Sequence, residues 1–121
     1  VEVDGERLVT SSLTITHASR YGAPHVAAPH ARLIDPHLTA LIALGRGRRD
    51  HLRYAWAYVR GRLPEVPDIR TVTARQIRVL EPAGKPVQLD GDIWGQTPLE
   101  VGMDGAAMRL IVPEGCALLS A

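Results

Sequence analysis

Short apolar segments separated by turn residues dominate the hydrophobic pattern of the chain, and apolar residues rarely recur at helical spacing. This pattern is typical of a domain built from many short strands. The run at residues 37–44 is mostly apolar and ends at Gly45, which indicates a buried strand. The predicted strands are residues 1–3, 7–9, 13–16, 37–44, 69–73, 76–80, 87–90, 98–103 and 108–112.

Only one segment has the apolar spacing of an amphipathic helix. Asp50 can cap it, and Gly61 and Pro64 end it. We expect Trp56 to be substantially buried against a sheet, because it shares a helical face with other apolar residues while arginines occupy the other side. That face contains Leu52, Trp56, Val59 and Leu63. The predicted fold is therefore mainly β, with two sheets packed as a sandwich and one amphipathic helix.

Length, charge and cysteine content narrow the possible functions. A chain of 121 residues makes one domain, and its net charge of +1 indicates no bulk affinity for nucleic acid or membrane. The single cysteine, Cys116, cannot form an internal disulfide, so we infer a reducing compartment. The sequence shows no signal-peptide pattern and no apolar run long enough to span a bilayer. We expect a cytoplasmic location, with peripheral contact at the inner membrane face as an option.

Two groups of polar residues have alternative interpretations. An arginine cluster in and around the predicted helix, within residues 46–62, is by default a solvated face, and contact with anionic lipid headgroups or phosphate is the alternative. The histidines match no metal-binding signature, so we expect no transition-metal site. The arginines are Arg46, Arg48, Arg49, Arg53, Arg60 and Arg62, and the histidines are His17, His25, His30, His37 and His51.

The strongest candidate for chemistry is the pair Asp90 and Asp92, at the end of the strand predicted for residues 87–90. Residues two apart in a strand face the same side, so the two carboxylates would point together at one spot. Gly91 between them would let a ligand approach closely. Such a pair is suited to accepting a proton or holding a cation. The alternative is a tight Asp-Gly hairpin turn without chemistry.

Several short motifs follow one another in an order that matches a known family. Tyr21-Gly22, Ala28-Pro29-His30-Ala31 and Asp35-Pro36-His37-Leu38 precede Val87-Gln88-Leu89-Asp90-Gly91-Asp92, Thr97-Pro98-Leu99 and the closing Val112-Pro113. From about residue 13 to residue 113, the chain resembles the C-terminal domain of the diacylglycerol kinase and sphingosine kinase family of lipid kinases, in particular its bacterial members. The corresponding family patterns include Gln-x-Asp-Gly-Glu, Thr-Pro-Leu, Tyr-Gly-Gly and Asp-Gly-Leu-Leu-Asp-Val.

The resemblance implies a β-sandwich that packs, in the complete enzyme, against an N-terminal α/β half carrying a Gly-Gly-Asp-Gly-Thr phosphate loop. Residues 1–121 would then be a C-terminal domain truncated at its N-terminal side, without the nucleotide-binding domain and inactive alone. ATP, bound mainly by the missing half, and Mg²⁺ are the implied cofactors. The acceptor would be diacylglycerol, a sphingoid base or a related lipid. Alternatives are a non-catalytic lipid-binding module or a soluble-substrate kinase of the NAD kinase type.

The resemblance also implies site residues. Asp90 and Asp92 occupy the positions of the family's Asp-Gly-Glu carboxylates, with Asp92 as the general base for the lipid hydroxyl. Asp35 matches an aspartate of a structural magnesium site that also uses backbone carbonyls. Asp92 replaces the family's glutamate, and Pro36 and Thr39 stand where the family has glycine and a second aspartate. These departures predict a weak or empty magnesium site.

Overall fold

The computed structural model describes residues 1–20, 26–105, 111 and 113. The predicted strand at residues 108–112 lies almost entirely outside these residues, as do His25, Cys116 and the Tyr21-Gly22 motif. The described residues form nine strands and one α-helix, followed by a short 3-10 helix at Leu63–Glu65. The strands are β1 (Glu2–Val3), β2 (Glu6–Arg7), β3 (Ser12–Thr16), β4 (Leu38–Ala43), β5 (Ile69–Ala74), β6 (Gln76–Val79), β7 (Pro86–Leu89), β8 (Asp92–Gln96) and β9 (Leu99–Gly102), and the helix is α1 (Arg48–Val59).

Two antiparallel sheets form the body of the domain. The first sheet has the strand order β2-β1-β6-β9, and the second has the order β3-β4-β5. Strands β5 and β6 follow each other with only Arg75 between them, so the chain crosses there from the second sheet to the first. Strands β7 and β8 form a separate antiparallel hairpin inserted between β6 and β9.

The core lies between the two sheets and centres on β4. All six residues of this strand are buried. Because side chains alternate along a strand, Leu38, Ala40 and Ile42 point toward the first sheet, and the intervening residues point to the opposite face. The three inward residues pack with Val3 of β1 and Ile77 of β6. The predicted buried strand and the two-sheet sandwich with one helix are thus confirmed.

Helix α1 lies near the other face of the second sheet and is held there by Tyr54. Tyr54 is only 8% exposed and packs in one cluster with Ala43 and Val66. Its hydroxyl accepts a hydrogen bond from the Gly45 backbone N–H at 2.9 Å. The helix therefore closes a three-layer arrangement of sheet, sheet and helix.

The predicted orientation of α1 is wrong. Trp56 is 60% exposed, Leu52 is 74% exposed and Val59 is 61% exposed, so the face expected to be buried points to solvent. A different face of α1, which carries Tyr54 and Ala57, packs against the domain instead. Tyr54 fixes this orientation, because its ring packs with Ala43 and Val66 while its hydroxyl accepts a hydrogen bond from the Gly45 N–H.

The start of α1 also differs from the prediction. Gly47, rather than Asp50, is the N-cap residue, and Asp50 occupies the third helical position. The Asp50 carboxylate accepts a hydrogen bond from the Gly47 N–H at 2.9 Å, while the Asp50 N–H donates to the Gly47 carbonyl. This reciprocal arrangement satisfies backbone groups that a helix N-terminus leaves unpaired, and it places a negative charge at the positive end of the helix dipole.

Candidate functional site

The Asp-Gly segment forms the tip of the β7–β8 hairpin. Leu89 pairs with Asp92, and between them Asp90 and Gly91 have φ angles of 50° and 106°. Positive φ at both central residues is the geometry of a two-residue type I′ turn, for which Asp-Gly is a favoured sequence. Strand β7 ends at Leu89, so the strand alternation expected to align Asp90 with Asp92 does not extend to Asp90. The backbone therefore forms a tight Asp-Gly turn, and Asp92 is the first residue of β8.

Asp92 lies among exposed apolar side chains. Because paired residues of an antiparallel hairpin share a face, Asp92 lies on the same face as Leu89, and Ile93 lies on the other face with Gln88. Leu89 is 54% exposed and Ile93 is 85% exposed. The next residue, Trp94, is 67% exposed and is the extra residue of a β-bulge, a feature that often redirects a side chain beside a functional site.

The base of this hairpin is fastened by Thr97. Its hydroxyl accepts a hydrogen bond from the Lys85 N–H at 3.0 Å and donates one to the Pro82 carbonyl. Its backbone N–H donates a hydrogen bond to the Lys85 carbonyl, and its backbone carbonyl accepts one from the Gly84 N–H, both at 2.9 Å. Thr97 is 9% exposed. Sequence reasoning recognised Thr97 only as part of a Thr-Pro-Leu motif, and no local sequence signal indicates hydrogen bonds to residues 12 and 15 positions away.

Asp35 is engaged in local structure. One of its carboxylate oxygens accepts the Arg32 N–H at 2.9 Å and lies 3.9 Å from His37 Nε2. Its backbone carbonyl lies 2.8 Å from His17 Nε2. Within residues 1–20 and 26–105, no group of three or more histidine, cysteine or acidic residues is placed to hold a metal ion. The described side chains alone therefore do not form a magnesium site. Asp35 would supply one carboxylate ligand to such a site.

Sequence reasoning missed an apolar groove between α1 and the second sheet. Two adjoining cavities, each of about 220 Å³, open along this junction. Both are lined by Thr14, Leu41, Tyr54 and Leu63. Most of the lining atoms belong to apolar side chains or aromatic rings, with few hydroxyls. The only sequence signal for this groove is the inward set of helix positions that was assigned to the wrong face.

The arginine cluster surrounds this helix, and one of its members fixes the helix to the domain. Arg53 forms ion pairs with Asp50 and Asp68. Partial desolvation lowers the pKa of Arg53, but attraction to Asp68 and hydrogen bonds with Tyr54 and Asp68 outweigh it, so the net pKa is raised. Arg53 therefore remains a cation throughout the physiological pH range.

Among the described residues, no helix is long and apolar enough to cross a membrane.

Comparison with known proteins identifies the domain type. The family model described as YegS C-terminal NAD kinase beta sandwich-like domain matches residues 1–112. No curated protein and no solved structure matches the chain significantly. The family match covers most of the chain, and its description agrees with the two-sheet sandwich.

Proposed function

The chain belongs to the YegS C-terminal NAD kinase beta sandwich-like domain family, which is found in lipid kinases, and from this premise we propose a specific role for it. In our proposal, it is the lipid-binding, base-supplying half of an ATP-dependent kinase that phosphorylates a lipid hydroxyl. Diacylglycerol, a sphingoid base or a related lipid would be the acceptor. ATP and Mg²⁺ would be held mainly by a separate nucleotide-binding half of the complete protein.

The groove under α1 is the observation that most strongly supports a lipid acceptor. Ligand pockets usually have volumes of about 300–1,000 Å³ and contain a few polar groups that orient the ligand. Each cavity here is about 220 Å³, and Leu41, Leu63 and the Tyr54 ring dominate the shared lining. Such a narrow apolar groove suits an acyl or alkyl chain. A dinucleotide would require more room and more donors and acceptors for its adenine and ribose.

The hairpin supplies the group that would act on the hydroxyl. In phosphoryl transfer, the protein mainly positions the reactants and assists the incoming oxygen. We propose that Asp92 accepts the proton of the lipid hydroxyl as its oxygen attacks the γ-phosphate of ATP, while the bond from the γ-phosphorus to the bridging oxygen breaks and ADP leaves. The exposed apolar residue Leu89, on the same face as Asp92, would contact the lipid or the opposing domain and remove water from around the carboxylate. Asp90 would add negative charge and shape the turn.

No step of this proposal passes through a metal ion bound to this domain. The residues of the chain have three tasks: the groove holds the apolar part of the lipid, the hairpin orients Asp92, and Thr97 fixes the base of the hairpin. This division places substrate binding and base chemistry on different elements. The two functions are therefore separable by substitution.

The proposal is tested by incubating the complete protein with labelled ATP, Mg²⁺ and either mixed micelles containing diacylglycerol or sphingosine, or NAD in solution. We expect label to appear in the lipid and not in the dinucleotide. Leu63→Trp should fill the groove and raise the KM for lipid without changing the KM for ATP. Leu44→Trp is the matched control, since Leu44 is 42% exposed and does not line the groove. Labelled NAD would contradict the proposal, and lipid binding without transfer would favour a non-catalytic module.

A further inference from the structure

The side of α1 that faces away from the domain is apolar. Leu52, Trp56 and Val59 lie at spacings of four and three residues, so they form one stripe along the helix. They are 74%, 60% and 61% exposed. At 100° per residue, this stripe lies opposite Tyr54, the residue that anchors the helix. A helix that only covered a sheet would place polar residues in these outermost positions. We call these three residues the outward stripe.

Positive charge surrounds the outward stripe. Residues 46–62 contain six arginines and one aspartate, a net charge of +5 with histidine neutral. Because the whole chain has a net charge of +1, the remaining residues carry −4. Arg53 and Arg62 form ion pairs with Asp68 and Glu65 just outside this segment, so the positive charge beside the exposed apolar side chains comes from the other four arginines, Arg46, Arg48, Arg49 and Arg60.

The individual arginines are arranged around the stripe. The Arg60 guanidinium lies over the Trp56 ring, 4.4 Å from its centroid. The side chains of Arg48 and Arg49, in the first turn of α1, form no ion pair with any residue that the structure describes. They lie on the two flanks of the stripe when the helix is viewed along its axis. Cations thus border the apolar surface along the helix.

We propose that the outward stripe and its arginines dock the protein on an anionic phospholipid bilayer. In this arrangement α1 lies parallel to the membrane plane, with the stripe among the upper acyl chains and the arginines among the headgroups. Apolar residues with a central tryptophan and flanking arginines have the composition of interfacial helices. Charge complementarity selects an anionic surface, and the apolar stripe favours a bilayer over a nucleic acid, which would offer it no partner.

Membrane docking by α1 would also orient the apolar groove. The groove lies on the inner side of the same helix, so a docked helix would hold the groove within a helix diameter, about 10–12 Å, of the headgroups. A lipid would then have a short path from the bilayer into the domain. The docking itself does not rest on the proposed kinase activity, because it requires only phospholipids that are not substrates.

Vesicle binding by the complete protein tests this inference. Cosedimentation is measured with vesicles of phosphatidylcholine alone and of phosphatidylcholine mixed with phosphatidylglycerol, without diacylglycerol or ATP. We expect binding only to the anionic vesicles. Replacing Arg48 and Arg49 with glutamine should weaken binding roughly thirtyfold, since each basic residue near the surface contributes about a fivefold effect. The matched control replaces Arg7 and Arg75 with glutamine and should change binding less than threefold.

The apolar stripe is tested in the same assay. Val59→Gln should weaken binding roughly tenfold, whereas Val9→Gln, at an apolar position of similar exposure outside the helix, should have little effect. Glutamine is a good helix former, and circular dichroism checks that α1 persists. Insertion is measured with Trp94→Phe, which leaves Trp56 as the only tryptophan of the 121 residues, and any tryptophan elsewhere in the complete protein is also replaced by phenylalanine. Its fluorescence should shift to shorter wavelength and be quenched by lipids brominated in their acyl chains.

Three results would overturn the inference. Equal binding to neutral and anionic vesicles would remove the role of the arginines. Binding without quenching of Trp56 would show that the stripe stays outside the bilayer and that adhesion is only electrostatic. Finally, if Trp56 is shielded in the protein without lipid, or if Val59→Gln dissociates a dimer, the stripe is covered by another domain or a second copy rather than by a membrane.

Discussion

The anchoring of α1 by Tyr54 leads to the most detailed stability prediction. Tyr54→Ala removes a side chain that is 8% exposed and that packs with Ala43 and Val66. Truncating a buried aromatic residue usually costs about 3–5 kcal/mol, because it loses apolar burial and leaves a cavity. Tyr54 borders the groove, which already contains space, so we expect about 3 kcal/mol. Trp56→Ala should cost only about 1 kcal/mol, since most of the ring is already in water.

The hydroxyl and the ring of Tyr54 contribute separately. Tyr54→Phe keeps the ring but removes the acceptor for the Gly45 N–H. A hydrogen bond of this kind contributes about 0.5–1.5 kcal/mol to stability. We therefore expect Tyr54→Phe to cost about 1 kcal/mol, leaving about 2 kcal/mol for the ring. The expected order of stability is wild type, then Tyr54→Phe and Trp56→Ala together, then Tyr54→Ala.

Urea unfolding followed by far-ultraviolet circular dichroism provides the assay. With an m-value of about 1.5 kcal/mol/M, the Tyr54→Ala midpoint should fall by about 2 M, and the Trp56→Ala midpoint by less than about 1 M. Unchanged m-values would show that the substitutions act on stability alone. The reasoning is refuted if Trp56→Ala destabilises the protein as much as Tyr54→Ala, because α1 would then pack through the face that the sequence suggested.

Three further predictions follow from the same contacts. Gly45→Ala should lower the free energy of unfolding by about 1–3 kcal/mol. The added Cβ would lie 2.8 Å from the Asp50 Cβ and closer still to the Tyr54 hydroxyl. An unchanged urea midpoint would contradict this packing. Thr97→Val should lower turnover of the complete kinase at least tenfold by freeing the base of the hairpin. Thr97→Ser should restore most of that turnover, and equal rates for both variants would exclude a fastening role. At 10 mM, Mg²⁺ should raise the thermal midpoint of the 121-residue chain by less than about 2 °C, and a larger rise that Asp35→Asn removes would show that Asp35 does hold the ion.

Much of the sandwich could be predicted because its strongest signals are local. The apolar run of β4 is continuous since both of its faces are covered, one by the first sheet and the other near α1. The turn between β1 and β2 is likewise a local feature, since Asp4 and Gly5 both have the positive φ that an Asp-Gly pair favours. Strand β8 was missed because the residues after the Asp-Gly turn include a β-bulge, which interrupts the alternation of apolar and polar residues.

The errors have a common physical cause, which is that local periodicity does not determine the tertiary partner. Two apolar faces are present in α1, and spacing alone does not show which one meets the sheet. The choice depends on the fit of Tyr54 to Gly45 and Val66, residues from other parts of the chain. The groove follows from the same choice. Asp90 lies in the turn because Leu89 and Asp92 are the last paired residues of the β7–β8 hairpin, and the sequence does not show where that pairing ends.

The central claim is that Asp92 acts on a lipid hydroxyl, and the turnover of Asp92→Asn in the complete protein tests it most directly. Loss of a general base typically lowers the rate about 10²–10⁴-fold, so we predict a fall of at least about a hundredfold in kcat. The KM for lipid and the urea midpoint should stay near their wild-type values, because the change is nearly isosteric. Asp90→Asn is the matched control, and since asparagine tolerates the positive φ of that turn position, it should lose less than about tenfold. Full activity of Asp92→Asn with its lipid substrate would contradict the account and leave Asp92 as a structural residue of the hairpin.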